Sequence, residues 1–140
     1  MVTQKIENVD TTRPIVMVDD NEIDLEIGRR LYAFANLENP FMALNSGHAL
    51  LDHLEKVERD EEPCPAVVLL DVNMPQLNGF DTLKRVRQNE AFREVPVVVM
   101  FTNSDNPLDM ERAAAMGANG YRLKQFEVDS FVTFLHSFFE

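Results

Sequence analysis

Val67-Val68-Leu69-Leu70-Asp71-Val72-Asn73-Met74-Pro75 sets four apolar residues directly before one carboxylate. Pro63 and Pro65 bound the run on one side and Pro75 on the other, and Asn78-Gly79 turns the chain soon after. An apolar run of this length between turn signals reads as a strand buried on both faces. Asp71 then stands at the carboxyl edge of a sheet, where open α/β sheets bind ligands. An aspartate there can also do no more than cap the next loop. The rest of the chain decides between the two.

Working outward, Ile15-Val16-Met17-Val18 is a second buried run, and it leads straight into Asp19-Asp20. Asn21 follows as a helix N-cap. Ile23, Ile27, Leu31 and Phe34 recur at helical spacing, which predicts a helix over about Glu22–Ala35 with those residues on its core face. Pro40 to Leu44 offers a short strand, and Ser46 caps a helix carrying Leu50, Leu51, Leu54 and Val57. Beyond the opening run, Phe80, Leu83 and Val86 begin a helix reaching about Glu90. Pro96 to Phe101 is a fourth buried strand ending at Thr102. A helix over about Leu108–Met116 stops at Gly117, its C-cap. Tyr121-Arg122-Leu123 is a fifth strand ending at Lys124, and Val128, Phe131, Val132, Leu135 and Phe139 trace a last helix.

Strands alternating with helices predict a parallel sheet covered on both sides, a three-layer α/β/α domain. The doubly wound, flavodoxin-like order 2-1-3-4-5 is common at this size, and its switch point lies between strands 1 and 3. Residues 1–13 read as a flexible polar tail and residues 14–140 as the domain. The chain of 140 residues suits one core. Thirteen Lys plus Arg face 24 Asp plus Glu, a net charge of −11, which argues against a nucleic-acid partner. The single Cys64 excludes an internal disulfide. No secretory signal stands at the N-terminus, and no apolar run approaches the roughly 18 residues of a membrane span. The expectation is a soluble cytoplasmic protein. His48, His53 and His136 fall on helices away from the strand ends and read as solvated or half-buried surface residues.

This topology brings Asp19 and Asp20 beside Asp71. Three carboxylates cannot all stay ionised at close range without a counter-charge. An all-oxygen set without His or Cys suits Mg2+ and not zinc. Thr102 and Lys124 bring a hydroxyl and an ammonium to the same rim. Such a set suits a phosphoryl group, whose transfer depends on positioning and charge neutralisation. Asp can serve as its nucleophile.

Asp19-Asp20, Asp71 with Asn73-Met74-Pro75 and Gly79, Thr102, Tyr121 and Lys124 together resemble the receiver domain of two-component response regulators. The match spans residues 14–139. Phe101-Thr102-Asn103-Ser104 and the run Gly117 to Lys124 look most like stand-alone, single-domain regulators, including those paired with phytochrome-type kinases. The resemblance implies that Asp71 is the phosphoacceptor. It implies Asp19, Asp20, Asp71 and the Asn73 carbonyl around Mg2+, with Asp19 acting through water. Thr102 and Lys124 would hold phosphoryl oxygens, and Tyr121 would be an aromatic switch turning inward as Thr102 moves. The donor would be a histidine kinase or a histidine phosphotransfer protein, and the protein would catalyse only its own phosphorylation and slow dephosphorylation.

Two positions depart from the family pattern. Gln125 stands where proline is usual after the lysine, which predicts a trans bond and a less rigidly held Lys124. Asn103 stands where a small residue is usual, which would narrow access to the phosphoryl group. On the last helix, Phe134 and Phe138 lie off the main apolar stripe and Phe131 borders them. All three are candidates for an interface, with a homodimer through the fourth helix, fifth strand and fifth helix as its leading form. Other readings are weaker. An Asp-nucleophile phosphatase wants an acid two residues after the nucleophile, where this chain has Asn73. A flavodoxin-like cofactor carrier wants a Ser/Thr/Gly-rich loop where this chain has Asp19-Asp20-Asn21. A degenerate receiver that binds partners without phosphorylation is the alternative within the family.

Overall fold

Strand β3 (Val67–Leu70) is the centre of a five-stranded parallel sheet in the computed structural model, which describes residues 10–139. The order is β2 (Phe41–Leu44), β1 (Ile15–Val18), β3, β4 (Val97–Thr102), β5 (Gly120–Leu123). Five helices cross between the strands: α1 (Glu22–Tyr32), α2 (Gly47–Glu58), α3 (Gly79–Gln88), α4 (Pro107–Ala115) and α5 (Val128–His136). This is the flavodoxin-like architecture expected from the strand–helix alternation.

Side chains of a strand alternate between faces, and the two faces feed two cores. Ile15, Met17, Val67, Leu69, Val99 and Phe101 pack under α1 and α5. Val16, Val18, Val68, Leu70, Val98 and Met100 pack under α2, α3 and α4. Every residue of β1, β3 and β4 is buried, as an internal parallel strand requires.

Three expectations need correction. The first concerns α1, which buries Leu25, Gly28, Leu31 and Tyr32, while Ile23 and Phe34 are 71% and 61% exposed. The Asn21 cap fixes the first turn, and Asp24 on that turn reaches Lys124 across the sheet edge. That rotation carries Ile23, about 100° away, out to solvent.

The second concerns the phenylalanines of α5. Phe131, Phe134 and Phe138 are all buried in the core under α1 and α5 and present no aromatic face. Phe134 stacks on Phe101 with ring centroids 6.1 Å apart and meets Phe138 edge-on at 5.1 Å. Arg122 covers the outer face of Phe134, its guanidinium 4.5 Å from the ring centroid. The stripe read from the sequence was too narrow, because a helix lying on a sheet and a neighbouring helix buries a face wider than one stripe.

The third concerns His53, which is buried on α2, with no hydrogen-bond partner for Nε2 among the described residues. Of the expected tail, residues 1–9 lie outside the described residues. At its end Arg13 is fastened, donating to the carbonyls of Cys64 and Pro65 at 3.0 Å each.

Candidate functional site

The strand register sets the site. Val18 of β1 lies level with Leu70 of β3, so Asp19 and Asp71 leave the sheet side by side. Backbone hydrogen bonds continue one residue past the strands: Asp19 N–H donates to Leu44, Asp71 N–H to Val18 and Lys124 N–H to Thr102. Asp71 therefore sits on rigid backbone. Below it the chain turns back so tightly that α3 begins against Asp71. A Cβ on Gly79 would stand 2.1 Å from the Asp71 carbonyl oxygen and 2.8 Å from Val72 Cα. The Gly79 N–H donates to the Val72 carbonyl at 2.8 Å. Glycine is needed there for close approach of two backbones.

Ligand oxygens of Asp19, Asp20 and Asp71 lie within 4.8 Å of one another. Asp19 and Asp71 are buried and Asp20 is exposed. Lys124 enters this cluster with its side chain only 5% exposed. Its Nζ lies 2.6 Å from Asp19 Oδ2, 2.8 Å from Asp24 Oδ2 and 3.5 Å from Asp71 Oδ2. Asp24 was not anticipated. It falls in the first turn of α1, a position where an acidic residue is ordinary as a partner of the helix dipole, so nothing in its spacing marked it.

The Lys124–Gln125 bond is trans, as Gln125 predicts. Lys124 is nonetheless firmly held, by three carboxylates and not by a rigid loop.

Thr102 closes the rim at the end of β4 and is fully buried, with Oγ1 accepting from the Ser104 N–H at 3.4 Å. Tyr121 is turned inward and buried beside α4, and its hydroxyl donates to the Ser104 carbonyl at 2.7 Å. Ser104 Oγ in turn donates to Asp109 Oδ2 at 2.6 Å. One loop residue thus links the strand-end threonine, the tyrosine and α4. Asn73 and Asn103 lie exposed on the loops beside the rim.

Four carboxylates around one ammonium leave the site strongly negative. Burial pushes the Asp19 carboxyl above the usual range, against the lowering by Lys124 and the Asn21 N–H, and the nearby Asp71 charge adds to the rise. Burial alone would lower the Lys124 ammonium, but its close pairing with Asp19 and Asp24 and the Asp71 charge outweigh that and raise it. Burial also raises the Tyr121 hydroxyl. The donor set suits a hard divalent cation: three carboxylates, no His or Cys, and one buried oxygen, Asp19 Oδ2, that meets Lys124 outside hydrogen-bond geometry.

A doubly wound sheet with an acidic trio, a hydroxyl and a buried lysine at its switch point defines a receiver-type protein. The model of the response regulator receiver domain matches residues 15–136, and this chain belongs to that family. The methanogenesis regulatory protein FilR2 of Methanothrix harundinacea, itself named as probable, is 30% identical over 110 residues, 79% of this chain and 70% of that protein. The response regulator Rcp1 of Synechocystis is 28% identical over 111 residues, 79% and 75% of the two chains. Among solved structures, the bacteriophytochrome response regulator RtBRR shares 32% identity with a TM-score of 0.76, covering 90% of this chain and 77% of that one. The Mn(2+)-bound form of Rcp1 shares the fold, with a TM-score of 0.74 at 23% identity over 89% and 90% of the chains.

Receiver domains are signalling phosphoacceptors of two-component systems. They interact with histidine kinases or phosphotransfer proteins and bind Mg2+ at an aspartate cluster. No helix among the described residues is long and apolar enough to cross a membrane.

Proposed function

We propose that residues 14–140 form a cytoplasmic receiver domain that accepts a phosphoryl group on Asp71 from a phosphohistidine of a kinase or phosphotransfer protein. The observation that carries this reading is the meeting of Asp19, Asp20, Asp71 and Lys124 at the switch point of the sheet. In the transfer, an Asp71 carboxylate oxygen forms the new O–P bond while the donor's P–N bond breaks. The imidazole nitrogen leaves with the electron pair. Asp19, Asp20, Asp71 and the Asn73 carbonyl are the groups that would hold Mg2+, which when bound neutralises charge on the phosphoryl oxygens. Lys124 and Thr102 supply donors to the same oxygens.

Negative charge added at Asp71 draws Lys124 and Thr102 toward it. Because Tyr121 already lies inward, the readout rests on the Asn103–Asn106 loop more than on a swing of the ring. Movement of Thr102 reaches α4 through Ser104 and Asp109. Self-association through α4, β5 and α5 belongs to the proposal in altered form. Leu108, Met110 and Leu123 are exposed on α4 and β5, in place of the buried phenylalanines. Sedimentation with and without beryllofluoride tests it, and a monomer under both conditions rejects it.

The core claim is tested by mass spectrometry after incubation with acetyl phosphate. One phosphoryl adduct is expected with Mg2+, and none in Asp71→Asn or without Mg2+. No adduct under any donor would instead favour a degenerate receiver.

A further inference from the structure

We propose that Asp24 is a positioning residue that holds Lys124 away from Asp71 until a phosphoryl group draws the ammonium in. This rests on the phosphoacceptor reading above. The Lys124 ammonium has three donors and no acceptor. Asp24 and Asp71 accept hydrogen bonds from it and Asp19 pairs with it by charge, and the contacts to Asp19 and Asp24 are the short ones, 2.6 and 2.8 Å against 3.5 Å to Asp71. At 3.5 Å a hydrogen bond is weak, whereas 2.8 Å is the usual length of a charge-assisted pair. The ammonium is therefore committed to β1 and α1, not to the acceptor.

A phosphoryl oxygen on Asp71 can engage Lys124 closely only if another partner gives way. Asp19 is 1% exposed, so water cannot take the place of the ammonium beside it. Asp24 is 18% exposed, the most accessible of the three. It lies in the first turn of α1, where the helix end favours a free carboxylate and water can reach it. Asp24 is thus the partner that lets go. Part of the attraction between Lys124 and the phosphoryl group then goes into breaking the Asp24 pair, so Asp24 opposes the phosphoryl-bound form. The field of the carboxylate acts in the same direction, and a control on the same turn separates the two effects.

The experiment is a beryllofluoride titration at saturating Mg2+, followed by 19F NMR, on the full chain and its variants. Asp24→Asn is expected to bind beryllofluoride about fivefold to tenfold more tightly, within the range of couplings between contacting residues of one ion-pair network. Asp24→Ser, a second substitution without the carboxylate, should do the same. Asp24→Glu restores wild-type affinity by keeping a carboxylate within reach of Lys124. Glu22→Gln removes one charge from the same turn without touching Lys124 and is expected to leave the affinity unchanged.

Unchanged or weaker binding in Asp24→Asn overturns the inference, as does equal tightening in Glu22→Gln. If the wild-type chain binds no beryllofluoride with Mg2+, the phosphoacceptor reading fails and takes this inference with it. Binding by the wild type that is indifferent to residue 24 overturns this inference alone.

Discussion

Replacing Gly79 by alanine tests whether the loop after Asp71 is built by close backbone approach. The added Cβ would stand 2.1 Å from the Asp71 carbonyl oxygen, about 1.3 Å short of ordinary contact at 3.4 Å, and 2.8 Å from Val72 Cα. Both obstacles are backbone, so no rotamer change relieves them. Overpacking of this kind costs about 1–3 kcal/mol. Weakening the Gly79 to Val72 hydrogen bond adds about 1 kcal/mol, and the better helix propensity of alanine returns about 1 kcal/mol. The net loss is about 1–3 kcal/mol, a fall in melting temperature of about 3–10 °C for a chain of this size. Differential scanning calorimetry measures it. Gly28→Ala is the control: its Cβ would meet the flexible Met17 side chain, Sδ at 2.6 Å, and it should be nearly neutral. Because the loop carries Asp71, Gly79→Ala should also slow acetyl-phosphate labelling at temperatures where the chain remains folded. A melting temperature within a degree or two of wild type would refute the close-approach argument.

Mg2+ should stabilise the fold by mass action, by about 2.7 kcal/mol at a hundred times its dissociation constant, and so raise the melting temperature. The rise should shrink in Asp20→Asn, and a melt indifferent to Mg2+ counts against the metal assignment. Phe134→Ala should destabilise the monomer by about 3–5 kcal/mol as a core truncation, measured by urea unfolding; a loss near zero would return Phe134 to the surface. His53 supplies a pH dependence. Burial depresses its pKa below the ordinary 6.5, with Glu62 and Lys56 pulling in opposite directions. The unfolded chain then binds the proton more tightly than the folded one, so stability is full above about pH 6.5 and declines below it toward the folded-state value. His53→Gln should flatten that part of the profile, and an unchanged slope between pH 5 and 7 would place the titration elsewhere.

The strand ends were readable in the amino-acid sequence because a buried parallel strand leaves a continuous apolar run. The polar residue that stops the run must then lie on the rim. Asp19, Asp71, Thr102 and Lys124 each announce themselves this way, and the sheet order brings them together. Helix rotation has no such marker. Ile23, Ile27, Leu31 and Phe34 satisfy helical spacing, and Leu31 is buried with Ile27 against the core, yet Ile23 and Phe34 face solvent, because the helix's orientation is settled by contacts far away in sequence. Lys124 lies 100 residues from Asp24, and their pairing is one of those contacts. Asp24 and the exposure of Ile23 therefore have one origin and were missed together. The same holds at α5, where Phe134 joins the core because Phe101 of β4 and Arg122 of β5 meet it, and Phe138, just past the helix, packs edge-on against Phe134.

The composition of the site has a further consequence. Backbone hydrogen bonds fix Asp19, Asp71 and Lys124 alike, but the long lysine side chain is aimed by the charges around it. A receiver built with Gln125 after the lysine relies on ion pairs to aim its ammonium, so charge changes near Asp71 act on Lys124 directly. Phosphorylation is such a change. It competes with Asp19 and Asp24 for one cation, and the outcome is set by which carboxylate water can most easily take back. On the proposed role of Asp24 that carboxylate belongs to α1, and the first helix would take part in the response to phosphorylation alongside the Ser104 loop and α4.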